Sequence, residues 1–93
     1  MRLKSGTAKP VHFWEISDVQ RWLAKRLPNI YNTYGDSFLD NEVSGQVLIN
    51  LDNEKLIELG MRTFRDRRRL LHQIVRLKLK WDLDELNILN SKV

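Results

Sequence analysis

The chain has 93 residues, 42% of them hydrophobic and 30% charged, with no cysteine and a formal charge of +4. This is enough for one domain with a single modest core, and it excludes a disulfide framework, a thiolate metal site and a cysteine nucleophile. No run approaches the roughly eighteen apolar residues of a membrane span, and Met1–Pro10 lacks the apolar stretch of a signal peptide, so a cytoplasmic protein without membrane contact is expected.

Met1–Pro10 offers Lys, Ser, Gly, Thr and Pro but no core face, and is expected to be a flexible tail. A first helix is expected from Ser17, with Gln20 three residues on completing a capping box. Val19, Trp22 and Leu23 lie on its inner side, with Arg21, Lys25 and Arg26 outside. Leu27–Pro28 ends it, and Asn29 can cap a second helix whose apolar positions are Ile30, Tyr31, Tyr34, Phe38 and Leu39. Gly35, inside that helix, suggests close packing there. Trp14, Trp22, Tyr31 and Phe38 all fall on apolar stripes and are assigned to the core.

Ser44–Gly45 opens a short third helix carrying Val47, Leu48 and Leu51. Asp52 caps a fourth with Leu56, Ile57 and Leu59 inward, and Gly60 sits where a left-handed residue ends a helix. Thr63, with Asp66 three residues on, starts a fifth helix. There Leu70, Ile74, Leu77 and Trp81 follow a 4-3-4 spacing, opposite Arg65, Arg69, His72 and Arg76. Leu77–Leu83 also alternates with period two, but a helix rich in Leu and Lys is already established there and is expected to continue. The expected fold is all-α: five helices, four short and one long at the C-terminus.

Charge is sorted along the chain. Residues 61–80 carry +7, from Arg62, Arg65, Arg67, Arg68, Arg69, Arg76, Lys78 and Lys80 against Asp66. Residues 32–60 carry −5, from Asp36, Asp40, Glu42, Asp52, Glu54 and Glu58 against Lys55. Two blocks of opposite sign favour a module that docks electrostatically, head to tail or onto a partner. Solvated helix faces would give a similar pattern. Arg67, on the side of Leu70 and Ile74, is better suited to a structural hydrogen bond than to a partner. Phe64 fits equally a staple against the fourth helix or an exposed anchor.

The ordered series Trp14, Asp18–Val19, Trp22–Leu23, Tyr31, Phe38, Val43–Ser44–Gly45, Leu48, Leu51, Leu56, Leu59–Gly60–Met61, Arg67, Leu70–Leu71, Ile74 and Leu77 closely resembles a sterile alpha motif (SAM) domain. The resemblance covers about residues 11–80, leaving 1–10 as a tail and 81–93 as a helical extension. With Lys9–Pro10–Val11 and the extended C-terminus, the chain is most similar to the small aveugle/hyphen-type adaptors. The resemblance implies a non-catalytic signalling adaptor that binds another SAM domain, such as that of a connector-enhancer-of-KSR-type scaffold, in a heterodimer. It also implies two binding faces. An acidic mid-loop face would comprise Asp36, Asp40, Glu42, Asp52 and Glu54. A basic end-helix face would comprise Arg62, Thr63, Phe64, Arg65, Arg68 and Arg69. Glu15 stands where the family has a Ser or Thr cap, which favours a helix start at Ser17. Arg65 stands where many members have glycine in a polymer contact, so only weak head-to-tail self-association is expected.

Catalysis finds no support: there is no glycine-rich phosphate loop and no Ser-His-acid context. No cofactor is implied, and His12 and His72 are too isolated to hold a metal. The alternative function is RNA-hairpin binding through the basic start of the last helix, using Lys25, Arg26, Arg65, Arg68 and Arg69. The acidic block and the lack of an exposed stacking platform weigh against nucleic acid.

Overall fold

Pro10 sets the first turn: its carbonyl accepts the Phe13 N–H at 2.9 Å, closing a 3-10 turn over Val11–Phe13. The computed structural model describes residues 9–91, with side chains through residue 82. Lys9 is already engaged, its carbonyl accepting from the Trp14 indole N–H at 3.0 Å. The first helix, α1, runs Ile16–Arg26, one residue before the expected start at Ser17. Its cap is Glu15, whose N–H donates to the Asp18 carboxylate at 2.9 Å. Gln20, expected to complete the cap, instead crosses to the next helix and donates to the Gly35 carbonyl at 3.2 Å.

Helix α2, Pro28–Asp40, uses Pro28 as its first helical residue, where a missing N–H costs nothing; Asn29 lies within the helix and does not cap it. Helices α3 (Gly45–Leu48) and α4 (Asn53–Glu58) begin as expected, with Ser44 accepting from the Val47 N–H and Asp52 from the Lys55 N–H. Helix α5 runs Phe64–Ser91, 28 residues, and the alternating stretch Leu77–Leu83 lies inside it. Among the described residues there are five α-helices, as the sequence led one to expect.

Two helix ends share one device. After α4, Gly60 takes φ 98°, and the Met61 N–H reaches the Leu56 carbonyl while the Gly60 N–H reaches that of Ile57, both at 2.9 Å. This is the Schellman pattern. After α2 the same two bonds form, Val43 to Phe38 and Glu42 to Leu39, each at 3.0 Å. Here the left-handed position is held by Glu42 at φ 53°, which a side chain tolerates poorly. Glu42→Gly should therefore raise stability by about 0.5–1 kcal/mol, the relief of strain less the entropy glycine loses on folding. An unchanged or lower urea midpoint would contradict this.

Val19, Leu23, Phe38, Leu48, Leu56, Met61 and Leu70 are fully buried, and among the described residues no polar or charged side chain joins them. Trp14, Trp22 and Tyr31, assigned to the core, are half-buried and pack on its rim. Trp22→Ala should accordingly cost less than the roughly 3–5 kcal/mol expected for Phe38→Ala. Equal losses in thermal melts would show that Trp22 sits deeper than this fold allows. Trp81 is half-buried against the 3-10 turn, its ring centroid 6.0 Å from that of His12. Ile57, expected to face inward, is 47% exposed, and Leu39 and Val47, counted among the apolar positions of their helices, are 50% and 41% exposed. Each adjoins a buried neighbour in sequence, and the helix turns it out.

Candidate interaction surfaces

The start of α5 is organised by Arg67. Its guanidinium donates to the Asn53 side-chain oxygen at 2.8 Å and to the carbonyls of Met61 and Arg62 at 3.0 and 2.8 Å. It thereby ties α4 and the loop before α5 to the last helix, the structural role expected for it. The Arg67 guanidinium carbon also lies 5.8 Å from the centre of the Phe64 ring. On α5 itself, the Asp66 carboxylate accepts from the Tyr34 hydroxyl of α2 at 3.2 Å.

With Arg67 and Asp66 turned to the body of the domain, the other side chains of this tip make no ion pair among the described residues. Arg62, Thr63, Phe64, Arg65, Arg68 and Arg69 are all exposed, Phe64 by 62%. Phe64 therefore lies outside the core rather than packed into it as a staple. Phe64, Arg65, Arg68, Arg69 and His72 line a groove of about 360 Å³. The N-terminus of α5 adds partial positive charge to the arginines, so the tip suits carboxylates.

The acidic residues are spread over several elements: Asp36 and Asp40 on α2, Glu42 in the turn after it, Asp52 capping α4 and Glu54 in its first turn. All five are exposed. Asp52 is partly used, accepting the Lys55 N–H at 2.9 Å. Leu39, Val47 and Ile57 are the exposed apolar residues of this block, and the sequence reading missed them. Their signal was faint, since each lies one residue from a core position.

Among the described residues, the only ion pairs join Asp18 to Lys9, at 2.9 Å, and to Arg21. Asp18 belongs to neither block. The hydrogen bond from Lys9, with that from the Glu15 N–H, holds its carboxyl below the usual carboxylate range. A depressed folded pKa gives stability that is full above the unfolded value of about 3.9 and is lost as pH falls through the folded one. Asp18→Asn should thus melt lower at neutral pH yet lose less on acidification below pH 4 than the unmodified chain. Parallel losses would contradict it.

The basic residues named for RNA do not share a cleft. Arg26 lines a crevice of about 150 Å³ with Trp22, Gln73, Arg76, Leu77 and Lys80. Arg65, Arg68 and Arg69 line the groove at the tip of α5. Among the described residues no group of three or more His, Cys, Asp or Glu could hold a metal, and no helix is long and apolar enough to cross a membrane.

A small helical domain with an apolar core, an arginine tip and an acidic block has the features of a binding module. The family model of the SAM domain (sterile alpha motif) matches residues 11–78, and the chain belongs to that family. SAM domains are generally non-catalytic modules of protein interaction. The chain is 29% identical over 85 residues to the protein aveugle of Drosophila melanogaster, covering 91% of this chain and 79% of that one. It is 43% identical over 58 residues to SH3 and multiple ankyrin repeat domains protein 2 of Rattus norvegicus and of Homo sapiens. Those matches cover 62% of this chain but 4% and 3% of the relatives, which are far longer.

Proposed function

We propose that the chain is a cytoplasmic signalling adaptor that binds another SAM domain through its acidic mid-loop face, its basic end-helix face, or both. The observation that carries this is the absence of ion pairs within either block among the described residues. Exposed arginine forks and carboxylates that find no ion-pair partner among the described residues are left to find one outside the chain. Phe64 supplies the apolar anchor of the basic face, and Leu39, Val47 and Ile57 are candidates for that role on the acidic one. The resemblance to the aveugle/hyphen-type adaptors implies a scaffold of the connector-enhancer-of-KSR type as the partner.

Titrating a panel of purified SAM domains, that scaffold's included, against two double variants tests the proposal. Asp40→Lys with Glu42→Lys, or Arg65→Glu with Arg68→Glu, should weaken pairing roughly ten- to a hundredfold while circular dichroism stays helical. If neither weakens any SAM contact, the two faces are not the binding surfaces. RNA hairpins should bind no better than about 10⁻⁴–10⁻⁶ M, with steep loss in salt, since the divided basic groups allow only non-specific contacts. Tight binding that depends on loop sequence would overturn this.

A further inference from the structure

Helix α5 carries a second apolar stripe that the core uses only at Leu71. Leu70, Ile74, Leu77 and Trp81 face the body of the domain, whereas Phe64, Val75 and Leu79 are 62%, 52% and 54% exposed. With half-buried Leu71 they fall at i, i+7, i+11 and i+15, the same face of a helix repeated over four turns. The first three turns form a groove of about 420 Å³, lined by Phe64, Arg68, Leu71, His72 and Val75 and walled on one side by Asn53 of α4. Asn53 is fixed there by its bond to Arg67. The other flank of the stripe is basic: Arg65, Arg69 and Arg76 are exposed and have no ion pair among the described residues.

We infer that this groove docks an amphipathic helix of a partner protein whose carboxylates lie on one side only. The length from Phe64 to Val75, about 16 Å, accommodates roughly three turns of such a helix, with apolar residues at i, i+3, i+4 and i+7. Its charge follows from the two walls. One flank offers arginines, whereas the α4 wall is followed directly by exposed Glu54, which would repel acid there. A second copy of α5 is disfavoured, because it would bring another Arg68 and His72 into the seam. A bilayer is disfavoured as well. Arg68 and His72 interrupt the stripe, and a lipid surface cannot withhold its negative charge from the Glu54 side. The surface extends past the tip of α5 proposed for SAM pairing to Leu71, Val75 and Arg76, so it remains distinct even though Phe64, Arg65, Arg68 and Arg69 border both.

The test uses a synthetic stapled helix of about fourteen residues, with Leu at i, i+3, i+4 and i+7 and Glu on one flank. A twin carries Lys in place of Glu, and vesicles of phosphatidylserine and phosphatidylcholine form a third arm. With the full isotope-labelled chain, the Glu helix should shift the amide signals of Leu71, His72 and Val75, and the Lys helix should not. Val75→Asp, at a position too exposed to disturb folding, should weaken binding roughly tenfold or more. Arg69→Glu should do likewise, while Val75→Asp leaves pairing with a SAM domain unchanged. No shift up to millimolar peptide, equal binding of both helices, or Val75-dependent sedimentation with vesicles would each overturn the inference. Loss of SAM pairing in Val75→Asp would also overturn it, by making the groove part of that interface.

Discussion

Replacing Gly45 with alanine should destabilise the domain by about 3 kcal/mol or more, a large part of the total for a chain of this size. A Cβ at Gly45 would lie 1.8 Å from the Val11 carbonyl oxygen and 2.8 Å from the Trp14 Cβ. The first of these atoms is backbone, so no rotamer change relieves the clash. The 3-10 turn must move away from α3, and three things go with it. The bond from the Gly45 N–H to the Trp14 carbonyl, 2.9 Å long, is stretched or lost. Val11, 3% exposed, is drawn out of the core, and Trp14 loses its seat on the rim. Gly60 is the control. It has open space around it, and only its φ of 98° opposes a side chain, so Gly60→Ala should cost about 1–2 kcal/mol. A Gly45→Ala urea midpoint close to the unmodified one would mean that the turn and α3 are not packed this closely.

The sequence did not reveal that contact. Gly45 was legible as the start of a helix, because Ser44 is a good cap, but nothing local says that residues 11–14 lie across it. Gly35 shows the opposite case: its interior position suggested close packing, and an added Cβ would meet the Tyr31 ring of its own helix at 3.0 Å. The helices themselves were legible wherever a short polar side chain accepts a bond from its own first turn, as at Ser44 and Asp52. The start of α1 was misread because a Glu–Asp pair performs that job, leaving Ser17 two residues too late to be the cap and Gln20 free to reach α2. Periodicity located the stripes but not their edges. Leu39, Val47 and Ile57 adjoin buried residues and were counted with them; only the packed helices show that each turns outward.

The charge blocks were legible in full, since summing along the chain needs no structure. What the sequence could not show is which charges are already satisfied. Arg67 belongs to the basic run by position yet spends its donors on Met61, Arg62 and Asn53. Asp66 takes the Tyr34 hydroxyl. Removing both from the tally leaves the +7 unchanged but moves its weight outward, onto Arg62, Arg65, Arg68 and Arg69.

The second large effect concerns the use of those outward charges. Each exposed ion pair contributes little, about 0.2–1 kcal/mol, so a single truncation would be hard to read. Reversing two charges on one face turns several attractions into repulsions, which should weaken a contact ten- to a hundredfold. An acidic face and a basic face on one chain are complementary but different patches, so self-contact is heterologous and tends to open chains. Ordering Arg65 at the tip costs about 0.5–1.5 kcal/mol, which keeps such chains weak. The most direct measurement is light scattering coupled to size exclusion across a salt series. It should be run on the unmodified chain, on Asp40→Lys/Glu42→Lys, on Arg65→Glu/Arg68→Glu, and on an equimolar mixture of the two variants. The unmodified chain should associate weakly and lose that association in salt. Each variant alone should be monomeric, and the mixture should form a 1:1 dimer that cannot extend, because one unaltered acidic face meets one unaltered basic face. A discrete, salt-resistant homodimer of the unmodified chain, persisting in both variants, would contradict the account.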